Sequence, residues 1–337
     1  MNVIFNGKIT KSGYGKATES FKRSFELLKD INVEFRLGAG QSKGKYDVEF
    51  LIGPPPYGNG KIAKHRVIYF YWETTKLPTQ WISSIMSSDE IWAPCDLVAD
   101  ACLDAGYNKK ISIVPTPSLS SGSNIKSKFW SKNKNIFLDK SYKFYSIFQW
   151  QPRKGYDKLL DSYFDEFRND DVTMVIKTDM IKTSSENNII STINYYKDKY
   201  KSNAKVFLIT SYLSDDEIYS IHNECNCFVL PHSGEGWGMP IHEAATFGNP
   251  IVTTKFGGVS DFIDDNCFWI DYNLEPVTGM SWNNVYNSSQ YWASCSKESI
   301  MKNMRYVFDN KLEKSKKFLD FTPEKVSNII KGKLNEI

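Results

Sequence analysis

Between Pro231 and Glu243 the chain reads Pro-His-Ser-Gly-Glu-Gly-Trp-Gly-Met-Pro-Ile-His-Glu, with Gly234, Gly236 and Gly238 at alternate positions. The apolar run Cys227-Phe228-Val229-Leu230 precedes it. That run is short and lacks a helical period, so it predicts a buried strand leading into a permissive loop. After the loop, Pro240 suits the start of a helix, Ile241, Ala244, Ala245 and Phe247 fit one buried side, and Gly248 with Pro250 ends it. A glycine loop at a helix N-terminus presents unpaired N–H groups and the positive end of the helix dipole, and Gly238 lets an anion come close to the backbone. The expected guest is a phosphate.

Glu235 and Glu243 bracket this loop with seven residues between them. Paired acid/base carboxylates of glycosidases stand ~5 to 9.5 Å apart. Eight helical steps of ~1.5 Å reach ~12 Å, which disfavours that use. The better reading puts hydroxyls of an extended ligand on Glu235 at one end and on Glu243 at the other, with a diphosphate between them. That ligand is a nucleotide diphosphate sugar.

The segment Pro231 to Phe262, with Glu235-x7-Glu243, Gly238-Met239-Pro240 and Phe256-Gly257-Gly258-Val259, resembles the donor-binding motif of retaining family-4 glycosyltransferases. The resemblance implies a GT-B architecture, two Rossmann-like doubly wound parallel-sheet domains facing across a cleft. It implies donor binding by Gly15, Gly236, Gly238, Met239, Pro240, Glu243 and Tyr212, and catalysis by Glu235, Lys154 and Arg153. The donor is a nucleotide diphosphate sugar such as a UDP-sugar; pocket shape, not motif, sets the base and the sugar.

The first half alternates short apolar strands (Val33 to Leu37, Val48 to Ile52, Val67 to Tyr71, Glu90 to Ala93, Ile111 to Val114) with helical patterns at Gln80 to Ser87 and Asp96 to Ala105. Such alternation predicts a parallel sheet whose ligands lie beyond the carboxyl ends of its strands. Lys11-Ser12-Gly13-Tyr14-Gly15-Lys16 is a second glycine turn opening a helix. A tight connection explains it as well as a phosphate cradle does; by the resemblance it faces the cleft. Gly13, Lys16 and Glu73 are the acceptor-side candidates. Relatives carry a histidine near the position of Glu73; none stands here, and His65, His222, His232 and His242 read as structural or solvated.

A first domain over residues 1–122, a linker over 123–143 and a donor domain over 144–317 are expected, with a C-terminal helix at about 318–337 crossing back to the first domain. Residues 301–337 read as helical. The linker interleaves lysines with Phe129 and Trp130 between Lys126 and Lys134, either a solvated linker or a nucleic-acid groove. The donor domain opens on a strand ending in Arg153-Lys154-Gly155, cations that would neutralise a departing diphosphate. Where relatives place a cation, Gln149 stands here. Further strands are expected at Thr173 to Ile176, Val206 to Ile209, Cys227 to Leu230 and Ile251 to Thr254. Ser214 and Glu217 have the spacing of a capping box in a turn that, by the resemblance, lies beside the nucleotide base. Asp215-Asp216 and Asp264-Asp265 are not taken as metal ligands, and by the resemblance no obligatory cofactor is expected.

Length of 337 residues suits two domains, and a formal charge of +3 commits the molecule to neither nucleic acid nor an anionic membrane. Six cysteines without CxxC spacing predict reduced thiols and no zinc. No run of eighteen apolar residues occurs, so no integral membrane segment and a cytoplasmic protein are expected. Thirty-six lysines against six arginines suggest an AT-rich gene, as in phages, viruses and low-GC bacteria. The expected reaction is retaining transfer of a hexosyl or pentosyl group to a hydroxyl of a saccharide or glycoconjugate. The alternatives are transfer to a hydroxymethylated base in DNA, a nucleotide-sugar epimerase, and a binding module without turnover.

Overall fold

The computed structural model describes residues 1–10, 12–38, 44–57, 60–119, 139–180, 184–263, 267–315 and 318–337. The lysine-aromatic stretch 126–134 and Asp264-Asp265 lie outside the described residues.

The first sheet is built from β1 (Asn2–Asn6), β2 (Asn32–Arg36), β3 (Tyr46–Ile52), β4 (Ala63–Tyr69), β5 (Glu90–Ala93) and β6 (Lys110–Ile113), in the order β2-β1-β3-β4-β5-β6. Every pairing is parallel. Helices α1 (Gly13–Glu26), α2 (Thr79–Met86) and α3 (Asp96–Asp104) cover it. Coverage of both faces explains why these strands read as continuous apolar runs. Phe5, Phe50, Val67 and Tyr69 have no exposure, and each such side chain contributes roughly 1.5–3 kcal/mol of burial.

The second sheet contains β7 (Tyr142–Gln149), β8 (Val172–Asp179), β9 (Lys205–Ile209), β10 (Cys227–Leu230), β11 (Ile251–Thr254) and β12 (Cys267–Ile270), ordered β12-β11-β10-β7-β8-β9 and again parallel. Its helices are α4 (Tyr156–Glu166), α5 (Glu186–Tyr200), α6 (Asp215–Glu224) and α7 (Met239–Thr246). The core of this unit gathers Leu159, Leu160, Tyr163 and Phe164 of α4 with Phe228 and Val229 of β10. The Ser214 cap and Glu217 form the capping box that the spacing implied.

Three features depart from the sequence reading. Strand β12 was not anticipated. An antiparallel hairpin, β13 (Tyr272–Pro276) with β14 (Tyr291–Cys295), follows it. The helix expected over residues 301–337 is two helices, α8 (Lys297–Asp309) and α9 (Pro323–Asn335), because the chain leaves helix at Asn310 and restarts at a Thr322 cap with Pro323 in the first turn. Helix α9 lies on the first domain: Val326, Ile330 and Leu334 join its core, Ser118 N–H donates to Phe321 at 2.8 Å, and Lys331 pairs with Asp30 at 2.7 Å.

Candidate active site

In the second sheet the chain order reverses between β7 and β10, and such a switch point opens a crevice at the carboxyl ends of its two strands. Strand β7 leads to a 3-10 turn at Pro152–Lys154, and β10 leads to the glycine loop. Gly155, with φ 66°, turns the chain into α4 so closely under the loop that a Cβ would overlap the Pro231 carbonyl. Ser233 N–H donates to the Arg153 carbonyl at 2.7 Å. Two segments far apart in sequence are thus held as one unit.

Four charges alternate in this unit. Lys154 Nζ hydrogen-bonds Glu235 Oε1, Arg153 Nη1 lies 3.6 Å from the same oxygen, and Arg153 Nη2 lies 3.2 Å from Glu73 Oε1 of the first domain. Arg153 also donates to the Gly234 carbonyl. All four side chains are largely buried. Burial pushes the Glu235 carboxyl up, but Lys154 and then Arg153 overcome it and hold the group at about 2. Burial and the neighbouring Arg153 depress Lys154, against the pull of Glu235. Burial works against the Arg153 charge as well, yet Glu73 and Glu235 raise its affinity for the proton. Glu235 is therefore an ionised carboxylate, neutralised in place. His232 is fully buried beside it, held neutral by burial, which brings its pKa to about 3.

Gly238 (φ 89°) caps α7, so the helix begins at Met239 and Pro240 is its second residue. Behind the loop, Gly257 has φ 93° and pairs with Glu235 as an isolated parallel bridge; a Cβ there would overlap the Glu235 carbonyl oxygen. Glu243 lies one turn into α7. Burial pushes its carboxyl up, while His222 and Lys16 bring it below the ordinary range. The His222 ring is 3.6 Å from Glu243 Oε2 and is fixed from its other nitrogen by Tyr145 OH at 2.8 Å.

The first domain closes over this surface. Lys16 pairs with Asp215 at 2.6 Å and lines a cavity with Glu243, Tyr219 and Met239. Lys16 is thus placed at the second glutamate, with the donor candidates rather than apart from them. Gly13 and Gly15 are in the first turn of α1, and Gly15 abuts Thr10, so close packing accounts for it. Glu73 meets Arg153, and Tyr286 from the β13–β14 connection donates to Glu73 Oε2 at 3.1 Å while its ring stacks on Trp72 at 5.1 Å. Cys95 Sγ donates to the Gly236 carbonyl at 3.1 Å. Gln149 is exposed and contacts Gln151, leaving Arg153 as the second cation on Glu235. The Tyr212 side chain is 66% exposed beside the capping-box turn. Neither Tyr286 nor His222 carried a sequence signal, since each acts through a neighbour distant in the chain.

The cavity at Glu243 has a volume of ≈ 20 Å³, room for about one water and not for a nucleotide. Among the described residues no three His, Cys, Asp or Glu side chains are grouped to hold a metal ion, and no helix is long and apolar enough to cross a membrane. All six cysteines are free thiols.

Residues 128–276, a little under half of the chain, match the model of the glycosyl transferases group 1. No curated protein matches the sequence. Among solved structures, Anabaena Alr3699/HepE in complex with UDP and glucose aligns over 100% of both chains with a TM-score of 0.63 at 13% identity. The N-terminal domain of Candida albicans trehalose-6-phosphate phosphatase aligns over 99% of this chain and 96% of its own with a TM-score of 0.60 at 9% identity. The pneumococcal O-GlcNAc transferase GtfA, in complex with UDP and GlcNAc, aligns over 82% of this chain and 53% of its own with a TM-score of 0.51 at 14% identity. The two parallel six-stranded sheets are thus those of a GT-B fold, and with the group 1 segment on its second sheet they support a GT-B glycosyltransferase.

Proposed function

We propose that the chain is a retaining glycosyltransferase of the family-4 type that moves a sugar from a nucleotide diphosphate sugar, a UDP-sugar in the first instance, to a hydroxyl of a saccharide or glycoconjugate. The observation that carries this is the convergence at the β7–β10 switch point: Lys154 and Arg153 on Glu235, beside the glycine loop that opens α7. UDP in the similar Anabaena structure, which aligns along the whole chain, supports the choice of base.

The charges dictate an exchange. Glu73 and Glu235 already balance Arg153 and Lys154, so a diphosphate that arrives at the α7 N-terminus competes with Glu235 for Lys154. Displaced from Lys154, the Glu235 carboxylate is free to accept hydroxyls of the donor sugar, while Glu243 accepts hydroxyls of the ribose. Donor entry requires the domains to part, breaking the Lys16–Asp215 pair over the ≈ 20 Å³ cavity. In the transfer step the bond from the anomeric carbon to the leaving phosphate oxygen breaks. The acceptor oxygen bonds that carbon on the same face, and its proton passes to the leaving phosphate. Lys154, Arg153 and the amides near Gly238 and Met239 stabilise the charge that develops on the diphosphate.

The test is thermal unfolding of the protein with a panel of nucleoside diphosphates and their sugars, followed by NMR of the anomeric proton in the product. A ligand at ~100 times its dissociation constant adds ~2.7 kcal/mol, worth several degrees. Stabilisation by UDP and a product of unchanged anomeric configuration are expected. If no nucleotide stabilises the protein the donor reading falls; an inverted product overturns retention.

A further inference from the structure

Behind Glu243 lies a buried chain of polar groups that no step of the transfer uses. His222 of α6, Tyr145 of β7 and Asn249, which follows α7, supply it. None of the three is exposed. The imidazole ring stacks on Phe247 at 5.4 Å with 12° between the planes, and stands near-perpendicular to the Tyr145 ring at 5.4 Å and 80°. Close packing of this kind holds the ring plane and with it the directions of the two nitrogens.

The hydrogen bonds then place the proton. Asn249 Nδ2 donates to the His222 carbonyl at 2.7 Å and to the Tyr145 hydroxyl at 2.9 Å. A carbonyl can only accept, so the amide nitrogen must face it. The Tyr145 oxygen, which accepts from Asn249, has one proton to give, and His222 Nδ1 lies 2.8 Å away. A buried hydroxyl proton without an acceptor is costly, so Nδ1 accepts it. The proton of the neutral ring is then on Nε2. Burial lowers the affinity of the ring for a second proton more than Glu243 raises it. Nε2 is buried with no hydrogen-bond partner and lies 3.6 Å from Glu243 Oε2, a few tenths of an ångström beyond bonding range. Glu243 thus faces a neutral N–H donor whose direction is set by groups on other elements.

We propose that His222 is a positioning residue for the donor site: its Nε2–H tethers one oxygen of the Glu243 carboxylate, and Tyr145 with Asn249 holds it in the required tautomer. The proposal rests on the assignment of Glu243 to the ribose. It adds the source of selectivity for ribose over 2′-deoxyribose. A carboxylate tethered at one oxygen keeps a fixed place for two neighbouring hydroxyls, whereas an untethered one turns to satisfy a single hydroxyl.

Calorimetric titration of the full chain with UDP and 2′-deoxy-UDP tests it, together with 15N NMR of the His222 ring, assigned by comparison with His222→Gln. The parent should bind UDP ~10-fold more tightly than 2′-deoxy-UDP. His222→Phe keeps a ring and removes both nitrogens, so the preference should shrink to within about threefold, through weaker UDP binding. His222→Gln, whose amide nitrogen can stand near the place of Nε2, should keep most of the preference. Tyr145→Phe leaves His222 in place but frees its tautomer, and should reduce the preference ~3-fold. In a Glu243→Ala background none of these changes should weaken UDP further. A merely structural role would weaken both nucleotides alike in either background. NMR should find the proton on Nε2. Should His222→Phe fail to fold, Tyr145→Phe and the NMR decide. A protonated Nδ1 in the neutral ring, equal binding of the two nucleotides by the parent, or an undiminished preference in Tyr145→Phe and His222→Phe would overturn the proposal and leave the donor reading standing. A parent that binds neither nucleotide would remove both.

Discussion

Replacing Lys154 by methionine keeps the unbranched stem of the side chain, one atom shorter, and removes its charge from Glu235. Two effects follow, and the structure gives the size of each. Removing one member of a buried ion pair commonly costs ~3–5 kcal/mol. Here Arg153 remains 3.6 Å from Glu235, where attraction between unit charges is about 4 kcal/mol at the effective dielectric of such sites, so the loss should be at the low end, ~3 kcal/mol. The second effect is on the reaction. Loss of one group that meets the leaving diphosphate costs ~3 kcal/mol of barrier, roughly 100-fold in kcat. Urea unfolding measures the first, and initial rates of UDP release at saturating donor measure the second. The double variant Lys154→Met/Glu235→Gln separates them: with the orphaned carboxylate neutralised, stability should recover while kcat stays low. A kcat for Lys154→Met within threefold of the parent would show that Lys154 serves only as a counter-ion and would remove it from the mechanism.

Other outcomes can be checked alongside. Glu243→Ala should weaken UDP binding at least 10-fold by calorimetry, and an unchanged dissociation constant would remove Glu243 from the ribose. Gly257→Ala should destabilise by several kcal/mol in urea, because the φ of 93° and the Glu235 carbonyl both exclude a Cβ; a loss under 1 kcal/mol would contradict that packing. The Glu235 pKa of about 2 lies below its ordinary value, so its contribution is complete above about pH 4.5 and lost as pH falls toward 2. Glu235→Gln should therefore flatten the acid limb of the stability curve between those values. Asp261 has the opposite sign: burial and then Asp96 raise its pKa to about 6, so the folded state is penalised as pH rises from about 4 through 6. Asp261→Asn should stabilise by ~1–2 kcal/mol at pH 7 and by nothing near pH 4, and an equal gain at both would refute the assignment.

Strands β5, β10 and β11 were legible to the residue, as was the Ser214 capping box, because each is set by a local pattern of apolar runs or cap spacing. Strand β12, Cys267–Ile270, was not anticipated, although it is an apolar run of the same length as β10 and β11. The β13–β14 hairpin has no tight-turn signal, since fourteen residues separate its strands, yet Tyr286 in that connection is what grips Glu73.

The order of residues from Cys227 to Glu243 determined by itself a strand, a glycine loop and a helix start, because backbone geometry there is dictated by neighbours in the chain. It also put Arg153 and Lys154 near the end of a strand, and they stand in the 3-10 turn that follows β7. The tertiary structure alone decided that these cations meet Glu235, that Glu73 and Lys16 of the first domain close the network, and that His222 stands behind Glu243. Those pairings join residues between roughly twenty and two hundred positions apart, and charge attraction acts across space without leaving a period in the sequence.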